Sequence, residues 1–213
     1  VTALGFGLAA FVLLAAVQTA IDGNIAKRVP DRAPDYFVLD IPRDQVNEFE
    51  TLVRNADPGA SWRTVPALRG SVLAFGSEGA MTRTADLDEI PDGAWALRGE
   101  RGLTYADRLP EGNELTEGTW WGPMYAGEPL VSVDEDFADA AGLKVGDMLT
   151  FGVLGVERTA RIANLRRIDW ESMGFNYVFV LSPNALQDAP HNLAATVELS
   201  QGTPTGPLLQ SLV

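Results

Sequence analysis

No charged side chain occurs from Val1 to Ile21, whereas from Asp22 onward the chain is polar and acidic. An α-helix rises about 1.5 Å per residue, so this run extends about 31 Å as a helix, close to the roughly 30 Å hydrocarbon core of a bilayer. Leu4, Phe6, Phe11, Leu13, Val17 and their apolar neighbours each favour insertion by roughly 0.3–0.6 kcal/mol near a helix centre, which outweighs Thr2, Gln18 and Thr19. A secretory signal has a basic start, a shorter apolar centre and a small-residue cleavage site. A core helix of a soluble protein keeps a polar face. Neither description fits, and the sequence predicts a transmembrane helix over 1–23 with a domain outside the bilayer over 24–213. Without a Met or a basic flank at Val1, the chain reads as a segment of a longer protein. Lys27, Arg28 and Arg32 follow the helix, but the missing preceding flank leaves orientation open.

The remaining length is enough for one domain with a sizeable core or for two small lobes. A net charge of −13 argues against nucleic acid, whose phosphates need clustered Lys and Arg, and makes anionic headgroups poor partners. The absence of cysteine removes disulfides, thiolate catalysis and cysteine-type zinc sites.

Pro30 and Pro34 break the helical run and lead into a β-rich stretch, Tyr36–Ile41. Val46, Phe49, Leu52 and Val53 then recur at helical spacing, and Asp57-Pro-Gly59 stops that helix. Trp62–Phe75 reads as one or two strands, giving a β-α-β start. From Gly76 to Gly127, dense Gly and Pro with short strand candidates such as Ala94–Arg98 predict an irregular β-rich middle. Beyond it come a strand at Leu130–Val133, a short helix at Asp134–Ala141 and a turn at Gly146-Asp147. Strands Met148–Leu154 and Val156–Ile168 follow. Tyr177–Leu181, a Ser182-Pro183 helix start and the alternating Leu193–Leu199 make a second β-α-β. The strands 36–41, 62–75, 177–181 and 193–199 are expected to share one sheet.

Candidate chemistry is sparse. His191 is the single histidine and lies in the loop Ala189-Pro-His-Asn192, a poor place for a Ser-His-Asp relay, and no Gly-x-Ser-x-Gly elbow occurs. Asp134, Glu135 and Asp136 suit a helix start, while Asp86, Asp88 and Glu89 lack calcium-loop spacing. No glycine pattern cradles phosphate, so no cofactor is predicted and ATP must be handled by another chain or domain. The features suited to contact are apolar. Trp120-Trp121 on a strand would point to opposite faces, and Asp169-Trp170-Glu-Ser-Met-Gly-Phe175 is an aromatic-rich connection between strands.

Nine stretches stand out in order: Ile21–Asn24, Ala33–Ile41, Leu97–Tyr105, Trp120-Trp121, Pro129–Ser132, Gly142–Asp147, Ala160–Arg166, Asp169–Asn176 and Phe179–Asn184. Together they resemble the extracytoplasmic domain of FtsX/MacB-type ABC transporter permeases, nearest the YbbP-like branch. The resemblance implies an α+β domain inserted between the first two helices of a permease unit. It implies a porter-like β-α-β lobe built from 34–76 and 174–213, with an inserted β-rich lobe, 77–173, and a preceding transmembrane helix. One departure is the tail Thr203-Pro-Thr-Gly-Pro207, a poor helix start where such a domain leads back to the membrane. The implied function is mechanical. The domain couples ATP-driven motion of the membrane helices to export or release of a hydrophobic substrate, lipid or lipoprotein, or to a partner protein. The implied partners are a cognate ATP-binding subunit, a second permease half or subunit and the lipid bilayer. The implied location is the bacterial inner membrane, with residues after about 23 outside the cytoplasm. Trp120, Trp121, Asp169, Trp170 and Phe175 are the candidate contacts. The alternatives are a membrane-anchored binding or sensing module and, more remotely, an anchored hydrolase, which would need His191.

The uncharged run generates the first prediction. The full chain should need detergent or lipid to remain monomeric, whereas a chain beginning at Pro34 should elute as a monomer in plain buffer. Gel filtration of both decides, and a monodisperse full chain without detergent removes the transmembrane assignment.

Overall fold

The computed structural model of the protein describes residues 33–172, 174–203 and 208. The predicted helix over 1–23 lies outside them, and among the described residues no helix is long and apolar enough to cross a membrane. Described residues between Pro34 and Asp169 and from Gly174 onward form one compact unit, and Ala33 and Trp170–Ser172 belong to another.

The first strand, β1 (Tyr36–Pro42), runs through a 3-10 turn into α1 (Val46–Ala56). Phe49 and Val53 are one helical turn apart and point into a core, and Asp57 caps the helix as the Asp-Pro-Gly stop predicts, its N–H donating to the Val53 carbonyl at 3.0 Å. The chain then forms β2 (Ser61–Ser77), a strand of 17 residues. After β3 (Ala80–Arg83) comes the Gly- and Pro-rich middle, with β4 (Arg101–Tyr105) and β5 (Asn113–Gly118). Ala94–Arg98 is a correction. Its N–H groups bond three residues back, Leu97 to Ala94 and Arg98 to Trp95, and the segment is a 3-10 turn entered through Gly93 at φ 84° instead of a strand.

The rest follows the predicted order: β6 (Leu130–Asp134), α2 (Glu135–Ala140), β7 (Met148–Val153), β8 (Val156–Ile168), β9 (Phe179–Leu181), α3 (Pro183–Leu186) and β10 (Asn192–Glu198). Leu154 and Gly155, at φ 50° and 80°, form the two-residue hairpin turn between β7 and β8.

The ten strands of the described residues form one hydrogen-bonded sheet: eight follow the path β1-β10-β2-β4-β9-β6-β8-β5, β3 pairs with β2, and β7 pairs with both β2 and β8. The four strands expected to share a sheet are all on this path. They are not all neighbours. β10 pairs antiparallel with β1 and with Ser61–Ala67 of β2, whereas β9 pairs with β4 and β6. β2 joins the two patches, because its later residues pair with β4, β7 and β3.

Two cores result. The smaller one packs Phe49 and Val53 of α1 on Ile41, Ala195, Val197 and Leu199, and is completed by Leu208. The larger one centres on Phe179, whose ring meets those of Phe137 and Phe151 edge-on at 5.1 and 5.2 Å. It also takes in Leu68, Val72 and Phe75 from the N-terminal segment and Phe179–Leu186 side chains from the C-terminal one. The stretches that the sequence reading groups in one porter-like lobe, 34–76 and 174–213, thus contribute side chains to both cores.

Phe179 is fully buried at the centre of the larger core. Phe179→Ala should cost about 3–5 kcal/mol, measured by urea unfolding followed by fluorescence; a loss below about 1 kcal/mol would contradict this packing.

Candidate functional site

The candidate contacts fall in two places. Trp120 and Trp121 follow β5, and the expected alternation of a strand does not hold there. β5 ends at Gly118, which has φ +77° and where an added Cβ would lie 2.3 Å from the Ala163 carbonyl oxygen. The chain leaves the sheet at that glycine, the one residue type that fits both conditions. Beyond it the two indoles stack on each other, centroids 4.1 Å apart and planes inclined by 30°. Trp121 Nε1 donates to the Ala106 carbonyl at 2.8 Å and Trp120 Nε1 to that of Asp107 at 3.2 Å. Trp121 is buried and Trp120 is half-buried above it. The pair is thus pinned over the loop after β4, with Trp120 as its outer member. Met124, in the same connection, is 95% exposed at φ 63°.

The second place is the connection from β8 to β9. Asp169 is exposed, and its N–H donates to the Gly112 carbonyl at 2.9 Å while its carbonyl accepts from Asn176 Nδ2 at 3.1 Å. Trp170 is 48% exposed. Phe175 is half-buried and packs edge-on against Phe37 of β1 at 5.5 Å. Phe37 and Leu39 are themselves exposed on β1, a terminal strand of the sheet.

The root of this connection is held by a residue that the sequence reading passed over. Arg166 on β8 is fully buried, and its Nη1 and Nη2 donate to the carbonyls of Val178, at 3.2 Å, and Tyr177. Burial pulls its guanidinium down to about 10, and the nearby Asp134 carboxylate works the other way. Asp134 lies opposite Arg166 in the β6–β8 ladder. Burial also raises the Asp134 carboxyl above its usual range, opposed by Arg166. A signal was available. Ile162, Asn164, Arg166 and Ile168 alternate along β8 and all are buried, so two polar residues sit at inward positions and must find partners there. Asn164 does so with Ser132 Oγ at 2.5 Å and the Thr119 carbonyl at 3.0 Å.

His191 is half-buried. Its Nε2 lies 3.1 Å from the Tyr105 hydroxyl and its Nδ1 2.7 Å from the Ala189 carbonyl oxygen. A phenol and a backbone carbonyl occupy the ring nitrogens where a relay would require a serine and a carboxylate. Asp86 and Glu89 are exposed, and among the described residues no three His, Asp or Glu side chains cluster as a metal site would need.

These geometries predict opposite outcomes for two tryptophans. Trp121→Ala should cost about 3–5 kcal/mol, whereas Trp170→Ala should change stability by no more than about 0.5 kcal/mol. Thermal unfolding of both variants checks the contrast.

No family model matches the chain. It is 28% identical over 196 residues to the uncharacterized ABC transporter permease YbbP of Escherichia coli strain K12, a match covering 89% of this chain and 22% of that protein. The chain therefore spans about a fifth of the length of that curated relative. Among solved structures it is similar to the periplasmic region of MacB from Actinobacillus actinomycetemcomitans, with TM-score 0.41 and 11% identity, over 83% of this chain and 78% of that one. It is likewise similar to a domain of a permease protein from Porphyromonas gingivalis, with TM-score 0.41 and 15% identity, over 76% and 71%. The permease resemblance read from the nine sequence stretches is matched by the curated relative, YbbP.

Proposed function

We propose that this domain is the extracytoplasmic part of an ABC transporter permease and that it passes ATP-driven movement of membrane helices to a hydrophobic substrate or a partner protein. The observation that carries this reading is the pairing of the incoming and outgoing strands. β1 and β10 lie side by side with Tyr36 opposite Val197, so chain segments arriving before Tyr36 and leaving after Glu198 reach the domain at the same end of one ladder. β10 also pairs with the first part of β2. Since β2 continues into the larger core, displacement applied at β1 and β10 is carried along one unbroken strand. Phe175 against Phe37 adds a second link between the β8–β9 connection and β1.

On this reading the work is mechanical and involves no bond chemistry in the chain. ATP is bound by a cognate subunit, a second permease half or subunit completes the membrane part, and the helix over 1–23 sits in the bacterial inner membrane with residues after about 23 outside the cytoplasm. The lobes proposed from the sequence, 34–76 with 174–213 and 77–173, are then the parts between which load passes. Trp120, Asp169, Trp170 and Phe175 form the outward contacts, with Trp121 as the buried support beneath Trp120. A substrate that is a lipid or lipoprotein would suit such aromatic contacts.

The test is Trp170→Ala in the full-length transporter with its ATPase. The variant should fold and accumulate as the wild type does and should fail to restore the phenotype of a permease deletion. If cells carrying Trp170→Ala and Trp120→Ala both behave as wild type, and the phenotype does not depend on an ATPase, the anchored sensing module is the better reading.

A further inference from the structure

Beside the smaller core, a set of hydrogen bonds ties the chain leaving β10 to the segment before β1 and to the end of α1. Past β10, two consecutive backbone N–H groups are each taken by a carboxylate. Leu199 N–H donates to Asp35 Oδ2 at 2.7 Å, and Ser200 N–H donates to Asp57 Oδ2 at 2.5 Å. Asp35 stands just before β1, and its own N–H donates to the Val197 carbonyl at 2.8 Å. Asp57 is the residue that caps α1. It is only 6% exposed and accepts three more bonds, from Gly59 N–H at 2.9 Å, Ser200 Oγ at 3.0 Å and Thr203 Oγ1 at 3.2 Å. The bonds from Ser200 and Gly59 hold its carboxyl below the usual range, so it stays charged.

The fit is close. A Cβ built on Gly59 would lie 2.4 Å from Ser200 Oγ, so a side chain at 59 and the Ser200 hydroxyl compete for one space. The turn is completed by Thr203 N–H on the Ser200 carbonyl at 3.1 Å, and a few residues later Leu208 is buried in the core beneath α1.

We propose that Asp35 and Asp57 form a latch on the outgoing chain, which fixes residues 199–203 over the end of α1 and can open while β1, β10 and β2 stay paired. Three elements meet in it: the segment before β1, the end of α1 and the segment after β10. Hydrogen bonds to a charged acceptor are strong as a group, yet all of these lie outside the β ladder. Their loss releases the turn without removing a strand. The latch also accounts for a segment that is a poor helix start, since Thr203 is bound by its hydroxyl to Asp57. Its existence does not depend on the coupling reading. Its mechanical meaning, that pull on the outgoing chain is passed to α1 as well as to β10, rests on that reading.

Hydrogen exchange followed by mass spectrometry on the full chain in detergent tests it. In Asp57→Asn an amide N–H faces the Ser200 N–H, or the single carbonyl oxygen must serve bonds now shared by two. Peptides covering 199–203 should exchange faster by on the order of tenfold, while those within 193–197 keep wild-type rates. Gly59→Ala keeps the Asp57 charge and displaces the Ser200 hydroxyl, and it decides the matter if Asp57→Asn fails to fold. It should loosen 199–203 in the same way. Unchanged exchange at 199–203, or equal acceleration through 193–203, overturns the latch. If the latch opens as described but Gly59→Ala leaves transport in cells intact, the coupling reading fails and the latch stands.

Discussion

β2 pairs along its whole length, first with β10, then with β4, and finally with β7 and β3. Because a paired strand cannot slip by one residue without turning its buried side chains to the opposite face, this single element sets the register of both sheet patches. The smaller core then has its sheet side defined by β1 and β10, and the larger core receives Leu68, Val72 and Phe75 at fixed positions. Gly70 lies within this strand, where an added Cβ would meet Leu103 Cδ1 at 2.7 Å and the Gly152 carbonyl oxygen at 2.8 Å. Close approach of β4 and β7 to β2 therefore depends on the absence of a side chain there.

The polar groups enclosed by these sheets are arranged around the points where the chain leaves regular structure. Asn164 takes the Thr119 carbonyl just beyond β5, and Arg166 takes the carbonyls of Tyr177 and Val178 just before β9. Asp57 takes the N–H groups beyond α1 and β10. Backbone groups at such points have no ladder partner, and leaving them unpaired in the interior costs about 1–3 kcal/mol each. The aromatic contacts depend on these anchors. Trp120 and Trp121 begin where Asn164 ends β5, and Phe175 is two residues before the first carbonyl held by Arg166.

Elements with strong local patterns were legible in the sequence. Val46, Phe49, Leu52 and Val53 marked α1, Asp57-Pro-Gly59 its end, and the alternation of Leu193–Leu199 marked β10. Two kinds of feature were not. Ala94–Arg98 has strand-like composition, but the Asp92-Gly93 turn starts it in a 3-10 path. Trp120-Trp121 looks like strand because the glycine that ends β5 is read as an ordinary residue unless the nearby Ala163 carbonyl is known. Pairing partners were likewise hidden: an apolar run such as Phe179–Leu181 fits either patch by composition, and its pairing with β4 and β6 assigns it to the larger core. The site was legible to the extent that exposure follows local sequence. Trp170, in a connection between strands, is exposed, whereas Arg166 and Asp57 act through residues distant in the chain.

If β2 makes the two cores one stiff body, the coupling proposed above would displace them as a unit, with the outward contacts and the turn at 199–203 changing while the separation of the cores does not. The chain has no cysteine, so spin labels can be placed at Leu39→Cys on β1 and Val156→Cys at the start of β8, both exposed in the native protein. Electron–electron double resonance on the full transporter, nucleotide-free and with ATP trapped, measures the separation of the two cores directly. The account predicts one narrow distance distribution that is the same in both states. A second distance, or a shift between states, would mean that the domain flexes at β2 and would contradict it.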